Sequence, residues 1–123
     1  MSKTFLICPV RGHSAGETAA VVKRLEDKGW EVHWPHRDTD QDDSTGLRIC
    51  IDNRKAIKDA DAVHVIWDGK SQGCLFDLGM AFAFGKPLII ISIPEVDCGK
   101  SFQNMMMAWV STFDIVEFIK NNT

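Results

Sequence analysis

Between Cys74 and Phe84 the sequence CLFDLGMAFAF holds one polar side chain, Asp77. Burying a carboxylate without a partner is costly, so this residue either opens to a cavity or is satisfied by hydrogen bonds. Aimed into a cavity, it could serve as a nucleophile or base. Otherwise it is an acidic group in the first helical turn, matching the helix dipole. The preceding loop, Asp68-Gly69-Lys70-Ser71-Gln72-Gly73, opens that helix. Helix N-termini bind anions through free N–H groups, and Gly69, Ser71 and Gly73 allow close backbone approach. Asp77 would lie one turn past Ser71. A second loop, Pro9-Val10-Arg11-Gly12-His13-Ser14, could face the first, with Arg11 as a bidentate cation for phosphate or carboxylate. On these residues alone, Gly69 and Gly73 could equally be turn residues and Ser71 an N-cap. Gly69-Lys70-Ser71 does not end a P-loop, because His64 stands where that motif needs its first glycine.

Other polar groups carry less chemistry. Asp38, Asp40, Asp42 and Asp43 are spaced like part of a calcium loop, but position six is Asp43 and position twelve is Ile49. Glycine and glutamate belong there, so a solvated acidic loop is expected. His33 and His36 flank Trp34-Pro35 without a third ligand at zinc spacing. His64, inside an apolar run, is expected to be a satisfied core histidine. Met105-Met106-Met107 with Trp109 suits packing or an interface better than a cofactor box. Neither a metal nor a cofactor is expected.

The elements that must position these loops alternate. Phe5 to Val10, Trp30 to Trp34, Ala62 to Trp67, Leu88 to Ile93 and Phe113 to Val116 read as strands by apolar content and flanking Pro or Gly. Helical spacing marks Glu17 to Lys28, with Gly29 as its C′ residue, and Cys74 to Phe84, closed by Gly85 and Pro87. A third helix, Thr45 to Asp59, is read from Leu47, Cys50, Ile51, Arg54 and Ile57, and a fourth runs near Ser101 to Trp109. His36 to Ser44 reads as a loop and Glu117 to Asn122 as a frayed tail. This order implies an α/β fold: a flavodoxin-like or Rossmann-like three-layer sandwich on a five-stranded parallel sheet, order 2-1-3-4-5. Ligands of such sheets sit at the strand carboxyl ends where the order reverses, which selects the same two loops.

The 123 residues suit a single domain, 1–123, and 45% apolar with 25% charged is ordinary globular composition. A net charge of −3 argues against binding nucleic acid polymers or anionic membranes. No apolar run approaches membrane-spanning length, and the N-terminus has no signal-peptide layout. Cys8, Cys50, Cys74 and Cys98 form no CxxC pair and are expected to be reduced, buried, cytosolic thiols. A cytoplasmic location follows as the expectation.

Ordered together, these pieces resemble the nucleoside 2-deoxyribosyltransferase-like superfamily, and in particular its 2′-deoxynucleoside 5′-phosphate N-glycosidases. The likeness rests on Ala60-Asp61-Ala62-Val63, on SQGCLFDLGMAFAFGKPLIII from Ser71 to Ile91, and on CPVRG from Cys8 to Gly12. It implies that Asp77 occupies the place of the family's glutamate nucleophile, one methylene shorter. It further implies that Ser71 lies near a 5′-phosphate, with Arg11 and Gly12 in the nucleotide loop; Asp68, Gly69 and Gly73, in the loop that opens the helix, are expected beside the substrate as well. Asn53 stands in the place of a helper aspartate, eight residues before Asp61. Asn104 resembles the segment that a neighbouring subunit contributes, which implies a homodimer with a shared active site. The function implied is cleavage of the N-glycosidic bond of a (deoxy)nucleoside 5′-monophosphate, with a small-molecule nucleotide or nucleoside as partner. A non-catalytic nucleotide-binding module of the same fold is the alternative.

Overall fold

The structure, a computed structural model, describes residues 2–10 and 15–112. Strand β1, Lys3–Ile7, leads to helix α1, Ala15–Asp27, and then to the short strand β2, Glu31–His33. A single helical turn, α2 (Pro35–Asp38), precedes the long helix α3 (Leu47–Asp59). Strand β3 (Ala62–Ile66), helix α4 (Gln72–Ala83), strand β4 (Leu88–Ser92) and helix α5 (Phe102–Val110) complete the described chain. All strand pairs are parallel, in the order β2-β1-β3-β4. Among the described residues the sheet thus has four strands where five were expected. The proposed fifth, Phe113 to Val116, lies outside the described residues, as does the tail after it.

Side chains alternate across the sheet as the two-residue period requires. Phe5, Ile7, Val63 and Val65 face one way and pack with Ile57 of α3, Cys74 and Leu78 of α4, and Met106 and Trp109 of α5. Leu6 and Ile66 face the other way, onto Val22 and Leu25 of α1 together with Val32 and Trp34. Helices therefore cover both faces of the sheet. Gly29 takes φ +98° after α1, the left-handed C′ position expected for it. No helix among the described residues is long and apolar enough to cross a membrane.

Several expectations are corrected. His36 to Ser44 is not wholly loop, because Pro35 at the first helical position starts α2. The buried stripe of α3 runs through Asn53, Ile57 and then Ala60, whereas Leu47, Ile51 and Arg54 point outward. Asn53 belongs to no apolar periodicity because it is polar. Arg54 lies over the Phe84 ring, 5.2 Å from its centroid. Of the Met105–Trp109 cluster, Met106 and Trp109 are core residues, and the Trp109 indole donates to the Lys86 carbonyl at 3.0 Å. All four cysteines are free, but only Cys74 is buried, and Cys98 is exposed. His64 is the core histidine expected, with its Nδ1 2.6 Å from Thr4 Oγ1 and its ring edge-on to Trp30.

Candidate functional site

At the carboxyl ends of β1 and β3, where the strand order reverses, a cleft of about 760 Å³ opens between α3 and α4. Asp77 lines it. So do Asp68, Ser71 and Gly73 from the loop into α4, and Asn53 from α3. Five of the expected site residues therefore meet in one cavity. Gly69 does not line it but shapes the loop. Its φ is +79°, and a Cβ there would come within 2.9 Å of Pro94 Cγ, so both backbone and space demand glycine. Gly73 is under no such demand, as its nearest neighbour, Ser71 Oγ, would be 3.9 Å away. Arg11 and Gly12 lie outside the described residues.

The loop after β3 is held from within. Asp68 Oδ1 accepts from the N–H groups of Lys70 (2.9 Å) and Ser71 (2.7 Å), which holds its carboxyl below the usual carboxylate range. Ser71 is the N-cap of α4, its Oγ accepting from Cys74 N at 3.4 Å, and the Trp67 indole donates to the Ser71 carbonyl at 3.1 Å. The Ser71 hydroxyl also hydrogen-bonds the Cys74 thiol, which partly opposes the effect of burial on that group. The first-turn N–H groups of Gln72 and Gly73 have no intrahelical acceptor. Their side of the loop, with the Lys70 ammonium, is where an anion would be received.

Asp77 lies in the second turn of α4, not the first, past the free N–H groups that could support its charge. It is part-buried and makes no hydrogen bond or ion pair with any described residue. Burial therefore prevails over the helix dipole, and its pKa is pushed up to about 7. Three thiols share the cleft, Cys8, Cys50 and Cys74, with Val10, Ile49 and Phe76 giving it an apolar wall. Burial pushes Cys8 up to about 12 and Cys74 up to about 11, so both stay protonated and inert at neutral pH. Phe76, although 57% exposed, thus has a use as a flat apolar surface in the cleft.

Asn53 is buried, 6% exposed, and its Oδ1 accepts from Thr39 Oγ1 at 2.9 Å. The neighbouring Asp52 points away, as helical geometry requires, and pairs with Arg48 at 2.6 Å. Asn104 does not line the cleft. Its Nδ2 donates to the carbonyls of Asp97 (2.7 Å) and Gly99 (2.6 Å) and ties down the loop before α5. Gly79 faces the groove between α4 and α5 instead of the cleft. Thr39, Cys8, Cys50, Ile49 and Phe76 were missed by sequence reasoning. The i, i+4 pair Ile49 and Asn53 and the i, i+3 pair Cys50 and Asn53 could have revealed this face of α3.

Comparison with solved structures places the fold. A 2-deoxyribosyltransferase from the psychrotolerant bacterium Bacillus psychrosaccharolyticus superposes with a TM-score of 0.66 at 18% identity, covering 85% of this chain and 90% of that one. The CMP N-glycosidase BcmB of Clostridium botulinum gives 0.60 at 20% identity, with 87% and 81% covered. A 2-desoxiribosyltransferase from Leishmania mexicana gives 0.60 at 17%, with 92% and 99% covered. No curated protein sequence matches this chain. The sequence model of the nucleoside 2-deoxyribosyltransferase family matches residues 6–108, most of the chain. With that match and the cleft at the sheet's switch point, the protein belongs to the nucleoside 2-deoxyribosyltransferase family.

Proposed function

We propose that the protein cleaves the N-glycosidic bond of a (deoxy)nucleoside 5′-monophosphate, with Asp77 as nucleophile. The observation that carries this reading is a part-buried carboxylate, without a partner among the described residues, in a cleft whose mouth is a helix N-terminus. The phosphate is received by the Ser71 hydroxyl, the N–H groups of Gln72 and Gly73, and Lys70. The sugar then lies inward, toward Asp77. An Asp77 oxygen attacks C1′, the electron pair of the C1′–N bond leaves with the base, and the base takes up a proton. A glycosyl ester on Asp77 results. Water, or the nitrogen of an acceptor base, then attacks C1′ and frees the carboxylate, as in retaining glycosidases. Asn53 assists from α3 as a hydrogen-bonding group.

A homodimer with a shared site also fits this reading. The groove between α4 and α5, about 290 Å³, is lined by apolar side chains that include Phe82, Phe102 and Met105. A second copy would cover them. Sedimentation at tens of micromolar should give a dimer, and a monomer would contradict it. One observation favours a second reading, a binding module without turnover. Asn53 carries no ionisable group where an aspartate would, and Asp77 is one methylene shorter than a glutamate. Incubation with nucleoside monophosphates, followed by chromatography, separates the two. Free base supports the enzyme, whereas a thermal shift without base supports the module.

A further inference from the structure

Three polar side chains connect the cleft with a separate cavity of about 520 Å³. His33 lines that cavity, and its Nε2 lies 2.8 Å from Thr39 Oγ1. Thr39 Oγ1 donates to Asn53 Oδ1 at 2.9 Å, and Asn53 lines the cleft beside Asp77. Thr39 itself is buried between them. A hydroxyl has one proton to give. Given to Asn53 Oδ1, it leaves the Thr39 lone pairs to accept, so His33 must supply Nε2–H. Were the chain reversed, Asn53 Nδ2 would donate to Thr39 and Thr39 to a bare Nε2. The neutral ring would then carry its proton on Nδ1. The two directions turn opposite ends of the amide toward the cleft, N–H donors in the first and a carbonyl in the second.

The surroundings favour the first direction. The cleft already holds two carboxylates, Asp68 and Asp77, which when ionised can only accept. An amide NH₂ complements them, while a third acceptor would repel. Nδ2 has no partner among the described residues, yet no buried side-chain nitrogen or oxygen there is left unpaired, so Nδ2 reaches the cleft surface. His33 is fixed in place by its stack on Phe5, centroids 5.3 Å apart and planes within 10°.

We propose that His33 and Thr39 are positioning residues that hold the Asn53 amide with its N–H donors toward the ligand, so that the cleft selects a ligand bearing a hydrogen-bond acceptor there. The identity of that ligand rests on the proposed function; the direction of the chain does not. Long-range nitrogen NMR of the intact protein at pH 8 reads the ring directly. His33 is neutral there, because burial lowers its pKa below the usual histidine value. The Nε2–H tautomer is expected, and the Nδ1–H tautomer overturns the proposal. Calorimetry with the nucleoside monophosphate that the wild type binds most tightly supplies the second reading. Thr39→Val should weaken binding by about two- to tenfold, and Thr39→Ser should restore it to within about twofold. Unchanged affinity in Thr39→Val, or equal loss in both variants, overturns it. A wild-type protein that binds neither nucleosides nor nucleotides refutes the proposed function alone, since the tautomer needs no ligand and no variant.

Discussion

Replacing Asp77 by asparagine should stabilise the protein, and the gain should grow with pH. Asp77 has its pKa raised from 3.8 to about 7 by burial, without an ion-pair partner among the described residues. The folded state therefore holds the proton more tightly than the unfolded chain. Stability contributed by this protonated group is fully present below the unfolded pKa and is lost as pH rises through the folded one. Asparagine mimics the protonated form at every pH. A shift of this size corresponds to about 4 kcal/mol above pH 7 at full effect, and to about 2–4 kcal/mol once water entering the open cleft screens the charge. At pH 5 the gain should shrink to about 1 kcal/mol. Urea denaturation of wild type and Asp77→Asn at pH 5 and pH 8 measures both values. A gain that is equal at the two pH values, or a variant less stable at pH 8, would refute the claim that burial governs this carboxylate.

Asp77→Asn should also abolish base release while leaving nucleotide affinity within about threefold, by chromatography and calorimetry, because the anion cradle is untouched. Base release by the wild type should rise as pH passes about 7, since only the ionised carboxylate attacks, and a rate that falls over that range would contradict it. Asp77→Glu, which extends the carboxylate by roughly 1.5 Å, should raise the rate. Ser71→Asp should weaken monophosphates and spare nucleosides in the same calorimetric comparison. Gly69→Ala should destabilise by about 2 kcal/mol or more in urea, from its left-handed backbone and the contact with Pro94.

Much of this was legible because it is local. Asp77 stood out as the lone polar residue of an apolar helix, and the switch-point loops followed from the alternation of elements. The Ser71 cap, the Gly29 turn and the two-faced sheet follow from the same short-range signals. What was hidden depends on residues distant in sequence. Asn53 takes a core position on α3 because Thr39, fourteen residues earlier, satisfies its carbonyl, and no periodicity of apolar residues contains that fact. The same blindness assigned Leu47 and Ile51 to the inner face, although they are 67% and 56% exposed. Asp68, expected beside the substrate, lines the cleft, and its Oδ1 also folds the loop, a local Asx turn that the Asp-Gly-Lys-Ser spacing allows but does not require. The Met105–Trp109 cluster, expected in packing or an interface, sends Met106 and Trp109 into the core, where the Trp109 indole N–H finds the Lys86 carbonyl.

The most direct test sets wild type and Asp77→Asn side by side against a panel of nucleoside and deoxynucleoside 5′-monophosphates, with the matching nucleosides as controls and free base quantified by chromatography. Base is expected from at least one monophosphate with the wild type, less or none from its nucleoside, and none with Asp77→Asn. Equal release by the two proteins would contradict the covalent role of Asp77, and release from nucleosides alone would contradict the phosphate cradle at Ser71.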